Sequence, residues 1–452
     1  MNLGIFAWRG VLLAGAGVLA WISLGVGLGE MYAERVAAGD ETLIDHALGW
    51  QPEHSGMLFG KAAMLQNDDP QRSLELLRQA YAANPSDPRP LILRAGQLRE
   101  AGAVERSDAL IELAARLTPV DSRMQLQFAA YWGERGQLER MLKHVSTTLE
   151  ADPSKRSELF PSLLAMAESA EYRALLAPLA QSPPSWWKAY FTYVAAKAQD
   201  VDAVRFLYAL RRQATRVPLQ PEEREAFVRR LQQDGLVDEA YLVWISGLDD
   251  NARKQLGFLY DGGFERPIDG SGFGWRVARH KHFSGTTAPT RGVNGRAALR
   301  LRFRAFEGRF RHVTQPLLLA PGAYQLLGRL RLDSLTSKGG VRWTVRCLLP
   351  DAKVLAEGPR LLGSSDWREF EFSFEVPNDC RYQQLLLASG GTRAFERKLD
   401  GVVWFDDMRI RRVEALDAAA RVDALMRAEA NAEREHDQPV PTEVDDKPSP
   451  PE

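Results

Sequence analysis

Residues 298–306 read ALRLRFRAF. Leu299, Leu301 and Phe303 alternate with Arg300, Arg302 and Arg304, the period-two pattern of a strand with one apolar and one cationic face. The same texture extends outward. AYQLLGRLRL at 323–332 sets Arg329 and Arg331 on one face, and VRWTVRCLL at 341–349 puts Val341, Trp343, Val345 and Cys347 on one side. REFEFSFEV at 368–376 alternates Phe370, Phe372 and Phe374 with Glu369, Glu371 and Glu375. Gly, Asp, Asn and Pro separate these runs, so residues 258–413 read as an all-β sandwich whose apolar faces form the core.

Two sequences at the ends of this segment carry a family resemblance. LYDGGFERPIDGSGFGWRV at 259–277 resembles the opening of jelly-roll carbohydrate-binding modules: Gly262, Gly263, Phe264, Glu265, Gly274 and Trp275 match, and Asp261 replaces an asparagine. VVWFDDMRIRRV at 402–413 resembles their last strand, with Asp406 and Asp407 as the acidic pair. The resemblance implies a structural Ca²⁺ joining first and last strands, held by Glu265 and Asp406 with Asp261 or Asp407 as further ligands; hard carboxylate oxygens suit that ion. It also implies exposed rings that stack on sugars. Trp275 is the first candidate, ahead of Trp367 and Trp404; alternation turns Trp343 and Trp404 toward the core. Asp406 and Asp407, as strand neighbours, are expected to face opposite ways, and His280 and His282 at alternate positions do not make a metal site.

The segment 258–413 carries an excess of about ten positive charges, although the 452-residue chain has a formal net charge of -1. Two accounts of the arginine faces stay open. Arg300, Arg302 and Arg304 bind an acidic polysaccharide through charge-assisted hydrogen bonds, or they pair across strands with Glu369 and Glu371 in a solvated ladder. The two cysteines, Cys347 and Cys380, either form a disulfide or remain small buried hydrophobes.

Upstream, residues 39–250 are rich in Ala, Leu, Arg and Glu at helical spacing. Pro85, Pro119 and Pro153 recur at intervals of about 34 residues, with Pro52 one residue short of the same register. This resembles the tetratricopeptide repeat. In that register Ala80 and Ala114 take the close-packing position, Gly102 and Gly136 the turn, and Leu98 and Trp132 the groove-filling position; Asp68 stands where the first unit's turn glycine belongs. The expected result is a stack of five or six helix pairs, a form that commonly binds proteins. Trp132, Trp186, Trp187 and Tyr190 either line a partner groove or fill the core.

At the amino end, Gly10 to Gly29 is an uncharged run between Arg9 and Glu30. About 20 apolar residues cross a bilayer as one helix. The short basic end before the run and the acidic residues after it place the first nine residues in the cytoplasm and the bulk outside. The length favours an uncleaved anchor over a signal peptide. The fold class expected is therefore multidomain: a transmembrane helix, an all-α solenoid and a β-sandwich. Residues 414–436 read as a helix and 437–452 as a disordered tail.

The function expected is that of a non-catalytic, single-pass scaffold in a bacterial inner membrane, its bulk periplasmic. Its helical arm takes protein partners, and its sandwich takes envelope polysaccharide during assembly or export. A protein-only assembly adaptor is the alternative, and a glycan-active enzyme is less favoured because no Gly-x-Ser-x-Gly or separated carboxylate pair is legible. Nucleic acid is not an expected partner beyond a membrane.

Overall fold

The computed structural model describes residues 3–391 and 393–413, with side chains from residue 15 onward. The expected helix over 414–436 and the tail 437–452 lie outside the described residues. The chain divides into two compact units, 1–190 and 191–452.

The first unit is helical. Helix α1 (Leu3–Ala37) is followed by α2 (Ile44–Trp50), α3 (Ser55–Met64), α4 (Pro70–Ala83), α5 (Arg89–Glu100), α6 (Val104–Leu117), α7 (Ser122–Glu134), α8 (Leu138–Ala151), α9 (Arg156–Glu168) and α10 (Ala177–Gln181). One helix, apolar enough to cross a membrane over Gly15–Ala37, lies near the N-terminus. Consecutive helices pair: α3 with α4, α5 with α6, and α7 with α8. Proline sets the period. Helices α4, α6 and α8 end at Ala83, Leu117 and Ala151, and Pro85, Pro119 and Pro153 each follow two residues later, where a ring without an N–H cannot extend the ladder. Gly102 and Gly136 turn α5 into α6 and α7 into α8 at φ of +76° and +66°, a region open to glycine at no steric cost.

Ala80 and Ala114 are both fully buried, and Trp132 is buried in the same cluster as Ala114, Ile111 and Phe128. A recurring polar contact, not legible from the period, ties the first two of these pairs. Ser73 Oγ donates to Ala62 O at 2.8 Å, and Ser107 Oγ donates to Ala95 O at 2.7 Å. Trp186, Trp187 and Tyr190 are buried, so these rings fill the core and do not line a groove.

Helix α11 (Trp187–Lys197) leads into the second unit, where α12 (Val201–Gln213), α13 (Pro221–Gln233), α14 (Val237–Ile245) and α15 (Asp250–Arg253) precede ten strands among the described residues. The strands are β1 (Arg276–Val277), β2 (Phe283–Pro289), β3 (Ala297–Phe306), β4 (Val313–Leu317), β5 (Gly322–Thr336), β6 (Val341–Leu349), β7 (Val354–Glu357), β8 (Gly363–Val376), β9 (Tyr382–Ser389) and β10 (Leu399–Arg412). They form two five-stranded antiparallel sheets, β1-β4-β9-β6-β7 and β2-β3-β10-β5-β8. Leu299, Leu301 and Phe303 from the second sheet meet Val341, Trp343, Val345 and Cys347 from the first in one core. Cys347 and Cys380 are joined by a disulfide, their Cα atoms 5.8 Å apart.

Candidate functional site: the outer face of the β2-β3-β10-β5-β8 sheet

With alternate residues of β3, β5 and β10 committed to the core, the remaining ones build the outer face. Trp404 on β10 is in register with Arg300 on β3 and with Arg331 on β5. The two guanidinium carbons lie 5.3 Å and 5.0 Å from the Trp404 ring centre, on the two flanking strands. Trp404 thus points outward, against the expectation that alternation turns it inward: Val403 and Phe405 are the inward pair, and Trp404 is buried by its arginines. Beside this row Arg329 lies 5.7 Å from the ring centre of Trp367, whose Nε1 donates to Arg291 O at 3.1 Å.

Strand order overturns the expected ladder. β3 pairs with β2 and β10, whereas Glu369 and Glu371 belong to β8, which pairs with β5. Arg302 faces Ser284 and Val402 across its two neighbours, and Glu369 is in register with Arg329. Among the described residues, Arg300, Arg302 and Arg331 have no carboxylate partner, and Arg300 Nε is buried without a hydrogen bond. Arg304 lies at the exposed end of β3, next to Ala305 at a φ of +45°.

Trp275 is not a surface ring. It is 3 % exposed, packs against Phe264 and Trp343 with ring centres 5.1 Å and 5.7 Å away, and donates Nε1 to Asp261 O at 3.1 Å. Its neighbourhood fixes the opening segment to the last strand. Gly262 O accepts Met408 N at 2.9 Å, and a Cβ at Gly262 would lie 1.7 Å from Met408 O, which only glycine avoids.

The acidic residues converge on the turn before β3. Glu265 Oε1 accepts Arg296 N at 2.8 Å and Ala297 N at 3.1 Å. Asp406 Oδ2 accepts Asn294 N at 3.2 Å, and Asp407 Oδ2 accepts Asn294 Nδ2 at 2.8 Å. Asp406 and Asp407 therefore meet one residue and do not diverge to opposite faces. The cause is an irregularity in the β10–β5 register between Asp406 and Arg409, with Asp407 at a φ of +53°. Burial pushes the Asp406 carboxyl up to about 6, opposed by backbone donors and reinforced by the charges of Asp407 and Glu265. Burial likewise pushes Asp261 up to about 6, against N–H donation from Glu265 and Arg266.

A hard cation fits this corner in part. Asp406 Oδ1 is buried with no hydrogen-bond partner, the kind of oxygen a cation satisfies, and Glu265 is close enough to act on its charge. Asp261 accepts from Glu265 N and Arg266 N with one oxygen each, and Asp407 is committed to Asn294 and lies 3.8 Å from Arg329. Among the described residues no group of three or more His, Cys, Asp or Glu is arranged to hold a metal. Backbone carbonyls would have to complete the shell. His312, distant in sequence, brings its ring centre to 5.3 Å from His280, which is 5.9 Å from His282.

The Arg300–Trp404–Arg331 row was missed in the sequence because it spans three strands, and only strand order reveals it. The signal that was present is the pairing of tryptophan and arginine on separate alternating runs.

No family model and no curated protein sequence matches the chain. Among solved structures it is similar to a carbohydrate-binding module of the CBM4 type at 12 % identity, over 34 % of this chain and 99 % of that one, with a TM-score of 0.26. It is similar to TmCBM61 in complex with β-1,4-galactotriose at 16 % identity, over 35 % of this chain and 99 % of that one, with a TM-score of 0.25. The third is the CBM22-1 xylan-binding domain from Paenibacillus barcinonensis Xyn10C, at 14 % identity over 34 % of this chain and 92 % of that one, with a TM-score of 0.23.

Proposed function

We propose that the protein is a non-catalytic, membrane-anchored scaffold whose β-sandwich holds an anionic polysaccharide on the arginine face of β3, β10 and β5. The supporting observation is the row Arg300–Trp404–Arg331: the aromatic faces are taken by guanidinium groups that have no carboxylate partner among the described residues. A ligand meeting this face meets cationic donors rather than a bare ring. Carboxylate or sulfate groups suit such donors, and a neutral sugar stacking on tryptophan does not.

The test uses the full chain and polygalacturonate as the probe. Retention in affinity electrophoresis should fall with added salt and fall further in Arg300→Glu/Arg331→Glu, the variant still unfolding in one cooperative transition. Retention that ignores both salt and the double variant removes the polysaccharide reading and favours the protein-only adaptor.

The helical region, with its 34-residue spacing of helix ends, we read as a tetratricopeptide-like arm for protein partners, and α1 as an uncleaved anchor with the bulk in the periplasm. Retention of α1 is supported by packing: Gln51 Nε2 donates to the backbone of Val26 and Trp50 meets Trp21 with ring centres 6.0 Å apart, so cleavage near residue 30 would strip these partners from α2 and the following turn. Alkaline phosphatase fused after residue 250 should be active, and a mature chain starting near residue 30 would remove the anchor.

Calcium belongs to the same reading. Glu265 and Asp406 are the side chains that would hold it, and the ion would neutralise the buried Asp406 oxygen. Calcium should raise the melting temperature relative to chelator in the wild type and not in Asp406→Asn. An equal melting temperature in calcium and chelator for the wild type would sink this assignment.

A further inference from the structure

The arginine face does not stop at Arg304. Past that residue the end of the sandwich holds three half-buried histidines: the ring centre of His280 lies 5.9 Å from that of His282 and 5.3 Å from that of His312. His282 joins them to the face. Phe283 is in register with Phe303 and both belong to the core, so the next pair, His282 and Arg304, falls on the outer side of β2 and β3. Arg304 N donates to His282 O at 3.0 Å.

The hydrogen bonds assign the ring protons. His282 Nδ1 lies 3.1 Å from Arg304 O, and since a carbonyl only accepts, Nδ1 carries the hydrogen and Nε2 keeps the lone pair. His280 Nδ1 accepts His282 N at 3.2 Å and His312 Nδ1 accepts Arg311 N at 3.4 Å, so these two rings carry the hydrogen on Nε2. Burial, reinforced by the charge of His280, holds His312 below the usual histidine value and keeps it a neutral donor. A second proton on His280 or His312 would have to displace a backbone donor. On His282 it would meet a nitrogen that has no partner among the described residues. His282 is therefore the ring that can charge without breaking a bond.

Its surroundings are cationic. Arg279 and Lys281 precede it in the same loop, Arg304 stands opposite on β3, and Arg309 and Arg311 lie in the loop that leads to His312; all five are exposed, and none has an ion pair among the described residues. The carboxylates at this end are Glu307, 3.4 Å from Lys398, and Asp400, whose Oδ2 accepts Ala305 N at 2.8 Å. An anion laid across these cations is attracted by each of them, and by one more when the histidine beside them is charged.

We propose that the anionic polysaccharide continues from the arginine face over this end, and that His282 takes up a proton at Nε2 as an acidic group binds there, with His280 and His312 donating from their Nε2–H groups. One proton comes from solvent, imidazole becomes imidazolium, and no covalent bond to the ligand forms. The glycan is then held more tightly at mildly acidic pH than at alkaline pH. This inference rests on the arginine-face reading.

The full chain in non-ionic detergent is titrated with polygalacturonate, whose carboxylates are ionised at every pH used. One added charge-assisted hydrogen bond corresponds to about a tenfold gain in affinity, so the dissociation constant should be about tenfold lower at pH 5.5 than at pH 8. Calorimetry on the wild type at pH 7, in two buffers of different ionisation enthalpy, should show uptake of about half a proton per protein bound. His282→Gln, whose amide still donates to a carbonyl, should bring the ratio of the two dissociation constants close to one. Equal affinity at the two pH values with no proton uptake overturns the proposal and leaves the arginine face standing. A tenfold ratio that persists in His282→Gln also overturns it, since the proton then binds elsewhere. Absence of binding at both pH values overturns the proposal and the arginine-face reading together.

Discussion

The Arg300 guanidinium carbon lies 5.3 Å from the centre of the Trp404 ring, and Arg331 approaches the same ring from the opposite strand at 5.0 Å. One indole therefore holds two like charges side by side. Trp404→Leu should loosen both guanidinium groups and cost about 2 kcal/mol, from lost ring contact and two cation–π contacts of about 0.5–1 kcal/mol each. Chemical denaturation measures the loss; a variant as stable as wild type would show that the ring is a bystander.

Arg302 is expected to behave differently from its neighbour. Because β10 and β5 stand between β3 and β8, Arg302→Glu has no partner on β8 to lose. Its stability should stay within about 0.5 kcal/mol of wild type, and Glu371→Arg should restore nothing. Rescue by the second change would contradict the strand order.

In the helical unit, Ala114→Trp should destabilise by about 1–3 kcal/mol or more, since Ala114 is fully buried between helices and an indole overfills the space. The readout is the helical melting transition. An unshifted transition would mean that the α6 packing differs from that described.

The Cys347–Cys380 disulfide closes a sequence separation of 33 residues. Loop entropy assigns such a cross-link about 3–4 kcal/mol. Cys347→Ser/Cys380→Ser, or reduction, should lower the sandwich melting temperature and leave the helical transition of residues 55–151 in place. Equal melting with and without reductant would exclude a stabilising bond.

His144 gives the helical unit a pH dependence. Burial holds its imidazole below the usual histidine value, with Lys143 adding to the effect, and Nδ1 lies 2.7 Å from Gln125 Oε1. The neutral form is the one that folds. Its contribution is complete above about 6.5, and it is lost as pH falls below that, because the unfolded chain takes up the proton first. His144→Gln should flatten this slope; stability curves measured between pH 5 and pH 8 would show it.

Much of this architecture is legible from local periodicity. Alternation at Leu299, Leu301 and Phe303 marked the core face of β3, and the spacing of Pro85, Pro119 and Pro153 marked where α4, α6 and α8 end. Both signals act within one element, where geometry follows directly from residue order. Asp407 was misread because the register irregularity after Asp406 overrides simple alternation, whereas Trp404 obeys alternation and was given the wrong phase, since Val402 to Phe405 are apolar throughout. The Arg–Glu ladder failed for a related reason: which strands become neighbours is decided by long-range pairing, and adjacent runs such as Arg300–Arg304 and Glu369–Glu371 carry no trace of the two strands that separate them. Trp275 was misplaced by the motif resemblance, which fixes the ring's position in the chain and leaves its burial to the surrounding Phe264 and Trp343.

β10 is the last of the described strands along the chain and the middle strand of its sheet, bonded to β3 on one side and β5 on the other. During synthesis, β3 and β5 emerge more than sixty residues earlier than their common partner at 399–412. Until that partner arrives, both strands carry bare edges, the surfaces most prone to join the wrong chain. The sandwich cannot mature piecemeal behind the ribosome or a translocation pore. A chain stopped before residue 399 would keep most of its apolar side chains while its second sheet stayed split into the pairs β2-β3 and β5-β8, so a premature end should produce aggregation rather than a smaller, partly working module.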